Sequence, residues 1–124
     1  MEFYYDNVDS DVLVIKADGG LNAQTAEGFV EDLEKLVDAG LRKIIVDCSE
    51  LDYISSFGLG VLIRLHGRLA RHGGNVKIAS VKGMIVEVMR LTKLNKLFEI
   101  YPDVSRARLA FRPKNKGVAR PTER

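Results

Sequence analysis

The chain has 124 residues, of which 46% are hydrophobic, 29% charged and 7% aromatic; this suits one domain burying roughly 65–70% of its unfolded surface, with no room for a second catalytic domain. The apolar content excludes wholesale disorder, and no apolar run approaches the roughly 18 residues needed to cross a membrane. The net charge of +2 is split, since residues 1–111 carry −2 and residues 112–124 carry +4, so the overall basicity is a poor guide to the partners of the folded part.

Residues 1–11 hold five acids or amides and no basic residue, which is unlike a secretory leader, and the expected location is the cytoplasm. Phe3 to Val8 and Val12 to Asp18 are β-prone runs separated by Asp9-Ser10-Asp11, a hairpin pattern. Gly19-Gly20 is expected to break the second strand. From Asn22 the spacing turns helical, with Ala26, Phe29, Val30, Leu33, Leu36 and Val37 three or four apart. Asn22 suits the N-cap and Gly40 the stop.

Lys43 to Cys48 reads as a strand buried on both faces. Cys48, the single cysteine, has no internal disulfide partner and no basic neighbour to activate it, so it reads as a small buried hydrophobe. A helix is predicted from near Ser56 to about His72, with Leu59, Leu62, Ile63, Leu65 and Leu69 as its apolar stripe. His66 and His72 are the only histidines, and their spacing puts them on opposite sides of that helix, so no metal site is expected.

Val76 to Ser80 is a further predicted strand, and a helical pattern from Lys82 carries Met84, Ile85, Val88, Met89 and Leu91. Met84, Ile85, Val88 and Met89 fit core packing, or an extension of a contact surface. Phe98 to Tyr101 suits a last strand, and Asp103 caps a final helix through Phe111. Strands and helices alternate after the hairpin, which predicts an α/β sandwich with a mixed central sheet over residues 1–111. Residues 112–124 form a basic tail with five Lys or Arg, one Glu and no aromatic residue. It reads as a solvated, flexible end adding little to the fold, or as a segment that touches nucleic acid or anionic lipid.

The densest stretch is Asp47 to Leu62, DCSELDYISSFGLGVL. Gly58-Leu59-Gly60 after a strand invites a dinucleotide reading, but position 63 is Ile where that fingerprint needs a third glycine. No phosphate loop is present, so these glycines are expected to permit close helix–sheet approach. Ser55 and Ser56 admit three roles. Either is suited to cap the helix. A hydrolase nucleophile would need the Gly-x-Ser-x-Gly elbow, which is absent, and His66 lies about 15 Å further along the helix. A phosphate at this helix start would meet unpaired N–H groups and the positive dipole end, changing the sign of a surface while the fold stays put.

Asp47-Cys48-Ser49 followed by Tyr53-Ile54-Ser55-Ser56-Phe57-Gly58-Leu59-Gly60 resembles the signature of the STAS-domain anti-sigma factor antagonists, and Gly19-Gly20-Leu21-Asn22 resembles that family's Gly-x-Leu-Asp element. The order of elements agrees from about residue 3 to 111. The resemblance implies a non-enzymatic partner switch. Unphosphorylated members bind an anti-sigma factor that is often also a serine protein kinase; phosphorylation at the helix start ends the interaction, and a phosphatase restores it. ATP belongs to the partner, so no cofactor is expected, nor a direct nucleic-acid or membrane partner. The family's usual phosphoacceptor position holds Phe57 here, which makes Ser56 the expected phosphosite and Ser55 its fallback. Asn22 stands where the family has an acid. Phe57, Gly58, Leu59, Gly60 and Asn22 are the expected partner-binding residues, and Asp47 and Ser49 are expected to be structural at a strand end. The alternatives are a STAS binding module that is never phosphorylated, for which Phe57 speaks, or a small-molecule or lipid-binding subunit of a signalling or transport complex. The oligomeric state is open.

Overall fold

A computed structural model describes residues 2–113, the side chains of residues 25–27 and 29 excepted. The expected stripe positions Ala26 and Phe29, and the tail from residue 114 onward, therefore lie outside the described residues.

The elements are β1 (Glu2–Tyr5), β2 (Val12–Leu21), α1 (Ala23–Asp38), β3 (Lys43–Ile54), α2 (Ser56–Arg71), β4 (Asn75–Ala79), α3 (Met84–Leu91), α4 (Leu94–Leu97), β5 (Glu99–Tyr101) and α5 (Val104–Phe111). They build one five-stranded sheet in the order β1-β2-β3-β4-β5, antiparallel at β1–β2 and parallel elsewhere. The predicted mixed α/β sheet and opening hairpin are thus observed.

Ile44, Ile45 and Val46 of β3 are sealed on both faces, as a central parallel strand requires. One face of the sheet is covered by α1 to α4, whose Leu33, Val37, Leu65, Leu69, Ile85, Met89 and Leu94 meet Leu13, Ile15, Val46 and Ile78. Among the described residues the opposite face carries only α5, where Ala107, Val104 and Phe111 pack on Val12, Val14, Ile45 and Ala79.

Three expectations are corrected. The glycine pair Gly19-Gly20 does not end β2; the strand runs on to Leu21, absorbing two register shifts against β3, with Gly19 at φ 67°. β3 does not stop at Cys48 but follows β2 to Ile54, because its pairing partner is itself longer. Ile63, expected in the apolar stripe of α2, is exposed. In the other direction, β1 is shorter than its β-prone run, because Asp6 leaves the ladder to order the turn. Its Oδ2 accepts the N–H groups of Val8 (3.0 Å) and Asp9 (2.7 Å).

The buried Asp6 also receives Arg108 of α5 in a fork, Nε to Oδ2 at 2.6 Å and Nη2 to Oδ1 at 2.8 Å, and Arg112 reaches Asp9 in the same way at 3.1 and 3.2 Å. Residue 112, assigned by sequence to the tail, is therefore tied to the hairpin turn. Among the described residues, no helix is long and apolar enough to cross a membrane.

Candidate functional site

The motif residues gather at the carboxyl ends of β2 and β3, where the two strands hand over to α1 and α2. Leu21 O lies at the centre of this seam. It accepts the Ser55 N–H at 2.9 Å and the Ser55 hydroxyl at 3.4 Å. A Cβ on Gly58 would stand 2.5 Å from that same oxygen and 3.0 Å from Ile54 Cγ1, so only glycine lets α2 settle against the end of β2. Gly60 was expected to permit close approach as well. It does not: it is exposed, with nothing within 4 Å of its would-be Cβ.

The two serines divide the labour. Ser55 is the N-cap of α2, in extended backbone (φ −85°, ψ 169°), with its oxygen accepting the Gly58 N–H at 3.1 Å. Ser56 is the first helical residue and is exposed. Of the two candidate caps, the geometry selects Ser55, so the side-chain oxygen aimed at the free N–H groups is not that of Ser56. Across the seam Asn22 is half-buried and caps α1, its Oδ1 accepting Gln24 N–H at 2.9 Å.

Phe57 follows and is 46% exposed, so it stands outward instead of packing back onto the sheet. Gly58 is buried, as the close helix–sheet approach expected of it requires, and Leu59 is half-buried with part of its side chain against the core. Phe57 overhangs a groove of about 330 Å³ between α1 and α2, lined also by Val30, Glu31, Val61 and Arg64. A smaller recess of about 180 Å³ joins Phe57 to Gly60, Val61 and Arg64. Arg64 is held over the groove by Glu34 of α1 at 3.2 Å. Glu31, Val61 and Arg64 were not singled out by the sequence, and Val30 was read there only as part of the apolar stripe of α1. Phe57, Val61 and Arg64 do share one helix face at spacings of four and three, a signal that was available, but that α1 closes the groove follows only from the packing.

Asp47 is buried at the point where β2 and β3 slip register, and its Oδ1 accepts the Ser49 N–H at 3.0 Å. This is a structural role, though in mid-strand and not at the expected strand end. Burial pushes the Cys48 thiol up to about 12, which removes it as a nucleophile. His66 sets its ring edge against Phe98 (centroids 5.2 Å apart), while His72 caps the far end of α2 in solvent. Among the described residues no group of three His, Cys, Asp or Glu is placed to hold a metal ion. What the arrangement offers chemically is a rigid, backbone-locked helix start that presents one aromatic ring, one exposed hydroxyl and a partly apolar groove.

A family model described as the STAS domain matches residues 6–107. BtrV of Bordetella bronchiseptica, which bears the provisional name of an anti-sigma factor antagonist, is 29% identical over 112 residues, spanning 90% of this chain and 96% of that one. The crystal structure of a Thermotoga maritima protein with the same provisional name superimposes with a TM-score of 0.81 at 25% identity, covering 90% of this chain and 94% of the other. The Bacillus cell fate determinant SpoIIAA in its phosphorylated form shares the fold, with a TM-score of 0.71 at 18% identity over 90% of this chain and 100% of that one.

Proposed function

We propose, on the premise that this chain belongs to the STAS domain family, that it is an anti-sigma factor antagonist: a binding protein that sequesters an anti-sigma factor through the start of α2. The observation that carries this reading is the exposed Phe57 overhanging the α1–α2 groove while Ser55 and Gly58 lock the turn beneath it. An apolar anchor on a rigid element loses little entropy on docking, the arrangement expected of a binding hot spot. The names of the relatives point the same way.

Ser56 is the phosphoacceptor in this reading, with the partner acting as its serine kinase and a phosphatase reversing the change. The Ser55 hydroxyl is engaged as a cap, whereas Ser56 faces solvent beside Phe57. A phosphate there would sit at the positive end of the α2 dipole and leave the domain folded, but docking would have to desolvate nearly two negative charges beside an aromatic ring. That costs on the order of 2–5 kcal/mol, or roughly 30- to several-thousand-fold in affinity.

The test is calorimetric titration against the anti-sigma factor encoded in the same genome, run alongside melting curves. Ser56→Ala should bind like the parent, Ser56→Glu should bind weakly while melting like the parent, and Phe57→Ala should lose roughly 30-fold in affinity. Tight binding by Ser56→Glu, with no phosphate mapped to residues 53–64 after incubation with kinase and ATP, would favour a second reading. In that reading the protein is a constitutive STAS binding module, and its motivating observation is that an aromatic ring occupies the place of the family's usual acceptor.

A further inference from the structure

Helices α1 and α2 are stitched together by a ladder of ion pairs. Asp38 of α1 takes Arg68 of α2 at 3.1 Å, and Glu34 takes Arg64 at 3.2 Å. Both pairs join residues 30 apart in the chain, so the two helices run parallel and in step. On each rung the acid belongs to α1 and the cation is an arginine of α2. One turn nearer the helix starts the pattern is incomplete. There α1 continues with Glu31, but across the groove α2 sets Val61 and Phe57 against it. Glu31 is exposed, and among the described residues its carboxylate has no ion-pair partner. Arg64 also borders the groove, but its guanidinium is held by both oxygens of Glu34, at 3.2 and 3.3 Å.

We infer that this incomplete rung receives an arginine side chain of the docked partner, its guanidinium forked on Glu31 and lying on the Phe57 ring. The inference rests on the antagonist reading and adds to it the chemistry that the partner must bring. A planar guanidinium binds a carboxylate through two parallel hydrogen bonds and stacks on an aromatic face, whereas a lysine ammonium is a point charge. Val30 and Val61 give the apolar stem of an arginine a surface to lie along. The two complete rungs are themselves filled by arginine, so this helix pair already spaces its acids for that side chain. The groove of about 330 Å³ is at the small end of ligand-sized pockets, which suits one side chain better than an inserted helix.

The rung also discriminates between partners. In the free chain an exposed carboxylate is hydrated, so the missing cation costs little. A docked partner that placed an acid or an apolar residue here would leave Glu31 desolvated and unpaired, which opposes binding. Ser56 stands about 100° round α2 from Phe57, on the side away from α1, so the ring lies between that hydroxyl and the rung.

The experiment is calorimetric titration of the full chain with the anti-sigma factor encoded in the same genome, repeated with each arginine of that factor changed singly to alanine. Glu31→Gln should lose about 30-fold in affinity and melt like the parent, because position 31 is exposed. Asp32→Asn removes the same charge from an exposed position outside the groove and should lose less than about twofold. One arginine of the factor should matter by about 30-fold against the parent and add nothing against Glu31→Gln. Exchanging the two charges, with Glu31→Arg here and glutamate at that arginine, should recover at least about tenfold over Glu31→Arg alone. The inference is overturned if Glu31→Gln binds like the parent, if Asp32→Asn loses as much as Glu31→Gln, or if no arginine of the factor couples to Glu31. Loss of binding in Phe57→Ala would uphold the antagonist reading in each of those cases. A parent chain that does not bind the anti-sigma factor overturns that reading and the inference together.

Discussion

The two faces of the sheet are held by different physics. On the α1–α4 side, cohesion is spread over more than twenty buried apolar residues in one continuous cluster, so no single contact decides it. On the α5 side the apolar patch is small, and a few polar links carry the attachment. Arg108 grips Asp6 and Arg112 grips Asp9 across more than a hundred residues of chain. The buried Lys77 bonds Glu99 and sits 4.7 Å from the centre of the Phe111 ring. Burial of α5 is a property of the two chain ends meeting, whereas burial of α1 and α2 follows each crossover locally. The lesson is that the first face should tolerate changes in pH and yield to cavities, and the second should do the reverse.

The largest effect should therefore come from a cavity under the helices. Leu69→Ala, at a fully buried position of α2, should cost about 4 kcal/mol in chemical denaturation, with little dependence on pH between neutral and mildly acidic conditions. A loss of less than about 1 kcal/mol would mean that the large cluster is not what holds α2 in place.

Next in size is the α5 clamp. The Arg108 guanidinium, helped by the Asp9 and Val8 N–H groups, holds the Asp6 carboxyl below the usual aspartate range against the upward push of burial. A carboxylate depressed in the folded state contributes stability that is present above the ordinary value of about 4 and is lost as pH falls through the folded one. Asp6→Asn should thus cost about 2–3 kcal/mol near neutrality, and the melting curves of parent and variant should converge on acidification. A gap that stays constant down to the lowest workable pH would show that the pair does not couple α5 to protonation.

The glycine pair in α2 sharpens the contrast within the helical face. Gly58→Ala must push its Cβ against Leu21 O and should cost about 2 kcal/mol, whereas Gly60→Ala meets open space and should gain up to about 1 kcal/mol from lost backbone freedom in the unfolded chain. Equal effects would mean that the seam between β2 and α2 is looser than its distances. The smallest difference concerns the serines. Ser55→Ala should lose about 1 kcal/mol with the cap, and Ser56→Ala should stay within about 0.5 kcal/mol, as thermal melts would register.

Local sequence was enough for what depends on local pattern. The apolar run at residues 44–46, the helical spacings through Leu33 and Val37 and through Leu62, Leu65 and Leu69, and the capping residues Asn22 and Asp103 all act within a few residues of themselves, and all appear where their pattern put them. The hairpin and the α/β alternation follow from the same signals. Strand ends were not legible in this way. Gly19-Gly20 breaks an isolated strand, yet β2 continues through it because β3 offers a pairing partner and two register shifts absorb the irregularity. Ladder length belongs to the pair and not to either segment. At the site, sequence could place Ser55, Ser56 and Phe57 at a helix start but could not assign them roles. Whether a hydroxyl caps, or a ring points outward, depends on what the neighbouring strand end presents, here the carbonyl of Leu21 thirty-four residues away. The groove under Phe57, the spare freedom at Gly60 and the clamp of α5 on Asp6 were likewise decided by tertiary packing, because each is a relation between segments that share no local pattern.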